Sequence, residues 1–241
     1  MTGASSMPVG PVVSRGRTWT PVKSEDFDTP VPVGGFRDSE YRDTFSLYPE
    51  GSGGGKYRGD RTVSVSGGSM RIDNHRIGDV DAGAAGQFII AESGAWAFTG
   101  GRFAIRFRAD PNAAGYGTAI QLWPTSEVWG EGEMDFPEGD FGGSINLYHH
   151  EVGEHPERNL LVREGLGSWA DWHTAVTEWI PGVSVHYYLD GELVGEVTDP
   201  AQVPSTDHNF VLQTGPHDGS ADGAPDGARG TLEIDWVVVY R

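Results

Sequence analysis

Apolar and polar residues alternate along this chain in short runs, and the runs stop at Gly, Pro, Asn or Asp. Period-two alternation puts one face of an extended segment in a core and the other in water. An amphipathic helix needs apolar residues at spacings of three and four over a longer stretch, and such signals are scarce here. Thr62-Val63-Ser64-Val65-Ser66 alternates, Gly67-Gly68 turns it, and Ser69-Met70-Arg71-Ile72 resumes the pattern. Arg102 to Arg108 puts Phe103, Ile105 and Phe107 on one face. Val183 to Leu189 runs into Asp190-Gly191, a favoured two-residue hairpin turn, and Glu192 to Val197 is its returning strand. Leu232 to Tyr240 closes the chain as another strand. Many short strands with frequent turns predict an all-β sandwich or barrel.

Composition removes several functions. The chain has 241 residues, with 35 Asp and Glu against 17 Lys and Arg, a net charge of −18. Phosphate would be repelled, which argues against nucleic acid and anionic membranes as partners. The chain has no cysteine, which excludes disulfides, thiolate metal sites and cysteine catalysis. No segment approaches the roughly 20 apolar residues that span a bilayer. The first 17 residues are rich in Ser, Gly and Pro and lack an apolar signal core, so they read as a flexible tail before one domain from 18 to 241. Pro216 to Gly230 carries Asp218, Asp222 and Asp226 at every fourth residue. Calcium loops of the EF-hand type place ligands at every second residue, so this segment reads as a solvated loop.

The most informative stretch is Trp129-Gly-Glu-Gly-Glu133-Met-Asp135-Phe-Pro137-Glu138-Gly-Asp140. In a strand, Glu133 and Asp135 share a face, whereas Glu138 falls on the opposite one. A β-bulge adds one residue and returns Glu138 to the face of the other two. Pro137 agrees with that inference, because proline inside a sheet is confined to edges and bulges. Three carboxylates on one face raise each other's proton affinity. Glycoside hydrolysis needs such an arrangement: one carboxylate ionised beside the anomeric carbon, another protonated beside the leaving oxygen. Two Glu side chains leaning together can reach the ~5–5.5 Å separation of a retaining enzyme. An acidic surface strand is the competing reading.

The stretch Glu133-Met-Asp135-Phe-Pro-Glu138 resembles the Glu-x-Asp-x-x-Glu signature of glycoside hydrolase family 16, the laminarinases, lichenases and related enzymes. Further pieces resemble the family in order: Phe98 to Phe103, Asp171 to Gly182, Tyr187 to Val194 and Ile234 to Tyr240. The resemblance implies a jelly-roll β-sandwich of two antiparallel sheets with a concave glycan cleft. It also implies a secreted enzyme that cleaves β-linked polysaccharide internally with retention. The expected substrate is β-1,3- or mixed-linkage glucan. Glu133 would be the nucleophile, Glu138 the acid/base, and Asp135 would tune the nucleophile. No cofactor is implied for the chemistry. A structural calcium is implied, held by Asp235 and by main-chain carbonyls near Asp26 and Gly68. One departure stands out. Where the family carries an aromatic residue before the catalytic strand, this chain has Ile120 and Gln121, with Trp123 beyond.

Sugar faces stack on rings, so a glycan cleft should present aromatic side chains. Trp129 is the first platform candidate, and Trp123 is either a platform or a core residue. Trp179 and Trp236 lie within strand patterns and read as core. Tyr148-His149-His150 follows the carboxylates, and alternation allows one histidine on their face. His150 is favoured over His149, and the opposite orientation of adjacent histidines argues against a zinc pair. A monomer acting on polysaccharide is expected. A non-catalytic glycan-binding module, a transglycosylase and a galactan hydrolase are the alternatives.

Overall fold

The computed structural model describes residues 7–89, 96–217 and 223–241. Its described residues form two large antiparallel sheets packed as a jelly-roll sandwich. The first sheet runs in the order Glu192–Val197, Ser184–Leu189, His173–Ile180, Gly101–Ala109, Arg229–Tyr240, Met70–Ile77, Val63–Val65. The second runs Asn159–Arg163, Asn146–His150, Met134–Asp140, Tyr116–Pro124, His208–Pro216, Ala85–Phe88, Phe45–Leu47. Neighbours are often distant in sequence, as jelly-roll connectivity requires.

The alternation read from the sequence sorts the side chains between core and solvent. Phe103, Ile105 and Phe107 are buried between the sheets. From the facing sheet they meet Ile120, Leu122, Met134, Phe136, Leu147, Phe210 and Leu212. Phe210 bridges the layers, with ring centroids 4.8 Å from Phe88 and 5.1 Å from Phe103. Trp179 is buried here, and its indole N–H donates to the Pro204 carbonyl at 2.8 Å.

The expected turns are present. Asp190 and Gly191 both have positive φ, 51° and 86°, and Leu189 pairs with Glu192 across them. This is the left-handed pair that a tight hairpin needs. Gly67 and Gly68 do the same between Val65 and Met70.

The N-terminal segment differs from the loose tail expected of residues 1–17. Val12–Ser14 pairs with Arg17–Trp19 around a turn at Arg15 and Gly16. This hairpin lies on the outer face of the first sheet, where Trp19, Val176, Trp236, Val238 and Tyr240 form a second buried cluster. Ser14 Oγ donates to Glu178 at 3.0 Å. Burial of Trp19 offsets the conformational freedom that Ser, Gly and Pro would otherwise keep. Asp218 and Asp222 of the acidic loop lie outside the described residues, and Asp226 is exposed.

Candidate active site

The strand Met134–Asp140 carries the three carboxylates and contains the expected irregularity. Asp135 pairs with Gln121 and Glu138 pairs with Ala119 on one neighbouring strand. Three steps along the carboxylate strand therefore oppose two steps along its partner. The same shift occurs against the strand on the other side, where Asp135 opposes Tyr148 and Glu138 opposes Asn146. The extra residue lies in Phe136-Pro137, which is joined by a cis peptide bond. Because side chains alternate, the bulge turns Glu138 back to the side of Asp135. Met134 and Phe136 point the other way, into the core.

Glu133 sits just before the strand, and its carbonyl accepts the backbone N–H of His150 at 3.1 Å. That pairing puts His150 on the carboxylate face. Its Nε2 lies 3.2 Å from Asp135 Oδ2 and 3.7 Å from Glu133 Oε2. Its Nδ1 lies 2.8 Å from the Pro156 carbonyl, so Nδ1 carries the proton and Nε2 faces the acids. Trp129 stands at the rim, 38% exposed, with its ring centroid 5.5 Å from that of His150.

Electrostatics separates the members of the group. Asp135 is 2% exposed, and neither of its carboxylate oxygens has a hydrogen-bond donor. Burial, and then the charge of Glu138, push its carboxyl well above the usual range. Burial and then the charge of Asp135 also push Glu133 upward. Two carboxyls this close ionise together only at high cost, so they hold a shared proton at neutral pH. Of the two, buried Asp135 is better placed to keep the proton, and the more accessible Glu133 to carry the charge.

The remaining candidates divide. His149 does not reach the cleft. It is fully buried between the sheets, with Nδ1 2.6 Å from the Tyr187 hydroxyl and Nε2 3.0 Å from the Gln202 carbonyl. It opposes Met134, a core residue, and so shares the core face. Burial pushes its pKa down to about 4.

Trp123 lines a groove of about 400 Å³ together with Glu133, Tyr48, Gln121, Val211 and Gln213. Its indole N–H donates to Glu127 at 3.0 Å. A second hollow beside it holds Glu138, Lys56, Tyr57 and His217, and Gln213 borders both. Composition and motif reasoning missed Tyr48, Tyr57, Gln121 and Gln213. The Tyr57 hydroxyl donates to Gln213 at 2.6 Å, and Gln213 donates to Gln121 at 3.3 Å. Gln121 was recoverable from parity alone, since it lies two residues from Trp123 on a strand.

Of the three positions expected to hold calcium, Asp235 already has a partner. The Asp235 carboxylate is engaged by Arg106 Nη1 at 2.5 Å, so a cation there would face a guanidinium.

No family model matches this chain, and no curated relative matches it. Solved structures do. An endo-β-1,3-glucanase from Pyrococcus furiosus superposes with a TM-score of 0.75 at 15% identity, over 97% of this chain and 98% of that one. The laminarinase from Rhodothermus marinus gives 0.71 at 22% identity, over 92% and 97%. A non-specific endo-β-1,3(4)-glucanase of family GH16 gives 0.71 at 16%, over 92% and 91%. Along nearly its whole length this chain has the fold of the family 16 endo-glucanases.

Proposed function

We propose that the protein is a retaining, endo-acting β-glucan hydrolase, with β-1,3- or mixed-linkage glucan as its substrate. The observation that carries this reading is the bulge at Phe136-Pro137. It adds one residue to the strand and brings Glu138 to the face of Glu133 and Asp135. A plain acidic strand has no need of an irregular backbone for that alignment.

The chemistry follows from placement. Glu133, ionised beside protonated Asp135, attacks the anomeric carbon from one side. Glu138, bulge-displaced along the same face, gives its proton to the departing glycosidic oxygen. Glu138 then takes a proton from water, which releases the sugar from Glu133. Trp123 and Trp129 offer ring faces to neighbouring sugar units, and Gln121 and Gln213 offer amide groups to their hydroxyls. An open groove of side chains suits an internal stretch of polymer. Among the described residues no helix is long and apolar enough to cross a membrane.

Glu133→Gln and Glu138→Gln test the assignment on laminarin, mixed-linkage glucan and galactans. The wild type should cleave one of the glucans, and each variant should lose about 10³-fold or more in kcat. Proton NMR of the first product should show the β-anomer. A variant that keeps most of its rate, or an initial α-anomer, overturns the reading. Binding with no reducing-end release would mark a glycan-binding module, and acceptor-dependent product lengthening a transglycosylase.

A further inference from the structure

The geometry points to a second use of the same side chains: Glu133, Asp135 and His150 form a site for a single transition-metal ion, zinc above all, whose occupancy switches the enzyme off. This rests on the functional reading only in calling the result inhibition.

Ligand atoms of the three residues lie within 4.8 Å of one another, and among the described residues no other group of three acids or histidines does so. Zinc binds histidine nitrogen and carboxylate oxygen at about 2.0–2.2 Å, so neighbouring ligands of a tetrahedral ion stand about 3.3–3.6 Å apart. His150 Nε2 lies 3.2 Å from Asp135 Oδ2 and 3.7 Å from Glu133 Oε2. The two separations straddle that edge.

The imidazole is already prepared. Metal-binding histidines give their other ring N–H to a carbonyl or carboxylate, which fixes the tautomer and aims the lone pair. Here Nδ1–H is given to the Pro156 carbonyl at 2.8 Å, and Nε2 points at the acids. Trp129 packs on the ring and restricts its rotation. Asp135 supplies an independent observation. It is only 2% exposed, and neither of its oxygens has a hydrogen-bond partner, so an ion that displaces its proton would satisfy a carboxylate the fold leaves unpartnered.

Three protein ligands and an open fourth position suit zinc, with copper(II) stronger by the general order of affinities. Calcium and magnesium need six or more oxygens and find two carboxylates and a nitrogen here. The bound ion takes the Glu133 lone pair that would attack the anomeric carbon. Hydrolysis stops while the ion is bound and returns when a chelator removes it.

The test uses zinc chloride on the full chain, with calorimetric titration and thermal unfolding as readouts that need no substrate. The expected result is one zinc ion per chain, a raised Tm, and no effect of equimolar magnesium or calcium. His150→Gln should weaken zinc binding by about 100-fold. Asp135→Asn should weaken it as well, which guards against one variant failing to fold. No saturable binding, or binding of equal strength in both folded variants, overturns the proposal. If zinc binds as described and no glucan is cleaved without it, the metal site stands and the glucanase reading falls.

Discussion

His149 allows a quantitative test of how the cleft strand is anchored. The ring is fully buried, and its neutral form satisfies both neighbours: Nε2–H donates to the Gln202 carbonyl, and Nδ1 accepts from the Tyr187 hydroxyl. Its pKa is pushed down to about 4 by burial, against 6.5 for a free imidazole. A depressed histidine stabilises the fold fully above the unfolded value. That contribution is lost as pH falls, because the unfolded chain takes up the proton first. Each tenfold difference in proton affinity between the folded and unfolded chain is worth about 1.4 kcal/mol. Linkage then gives a loss of about 1.4 kcal/mol at pH 5.5 and about 3 kcal/mol at pH 4. His149→Phe removes the titrating group and leaves the Tyr187 hydroxyl and Gln202 carbonyl without that partner, a cost of about 1–3 kcal/mol at pH 7. Denaturant unfolding of both proteins at pH 7, 5.5 and 4 isolates the effect, since other titrating groups are common to both. The variant should be the less stable at pH 7, and the gap should close by about 3 kcal/mol at pH 4. Parallel stability curves would refute the neutral, doubly bonded His149.

Other perturbations reach the cleft from different sides. In Gly117→Ala the new methyl carbon would stand 2.5 Å from the Gly139 carbonyl oxygen, next to Glu138. Backbone must move, so kcat should fall by about 10–100-fold. An unchanged kcat would show that the strand tolerates the shift. Trp123→Ala should raise KM for oligosaccharides by up to about tenfold, with kcat little altered, if its ring carries a sugar. An unchanged KM removes it as a platform. With Asp235 paired to Arg106, a calcium chelator should leave Tm within about 1 °C. A fall of several degrees would mean that the pair opens to admit an ion.

Much of the fold was legible because alternation and turn residues act locally. Asp190-Gly191 and Gly67-Gly68 each demand one backbone conformation, and each produced its hairpin. Parity also resolved the two histidines: His150 joins the carboxylates and His149 enters the core. Pro137 made the bulge readable, since few other residues announce a break in a ladder.

What escaped depends on contacts between distant segments. The Val12–Trp19 hairpin has three-residue strands and gains its order from Trp19 against the first sheet. Tyr48 and Tyr57 lie far in sequence from the carboxylates and reach the groove through the packing of loops. The Arg106–Asp235 pair joins residues 129 positions apart that face each other across paired strands, which no local pattern announces.

Hydrolysis with retention requires Glu133 to become covalently bonded to the sugar during turnover. The direct measurement is peptide mapping by mass spectrometry after incubation with an activated 2-deoxy-2-fluoro laminari-oligosaccharide, whose glycosyl-enzyme breaks down slowly. A single adduct should form on Glu133, also in Glu138→Gln with a reactive leaving group, and be absent in Glu133→Gln. An adduct on another residue, or rapid turnover of glucan with no covalent species at all, would contradict Glu133 as the nucleophile.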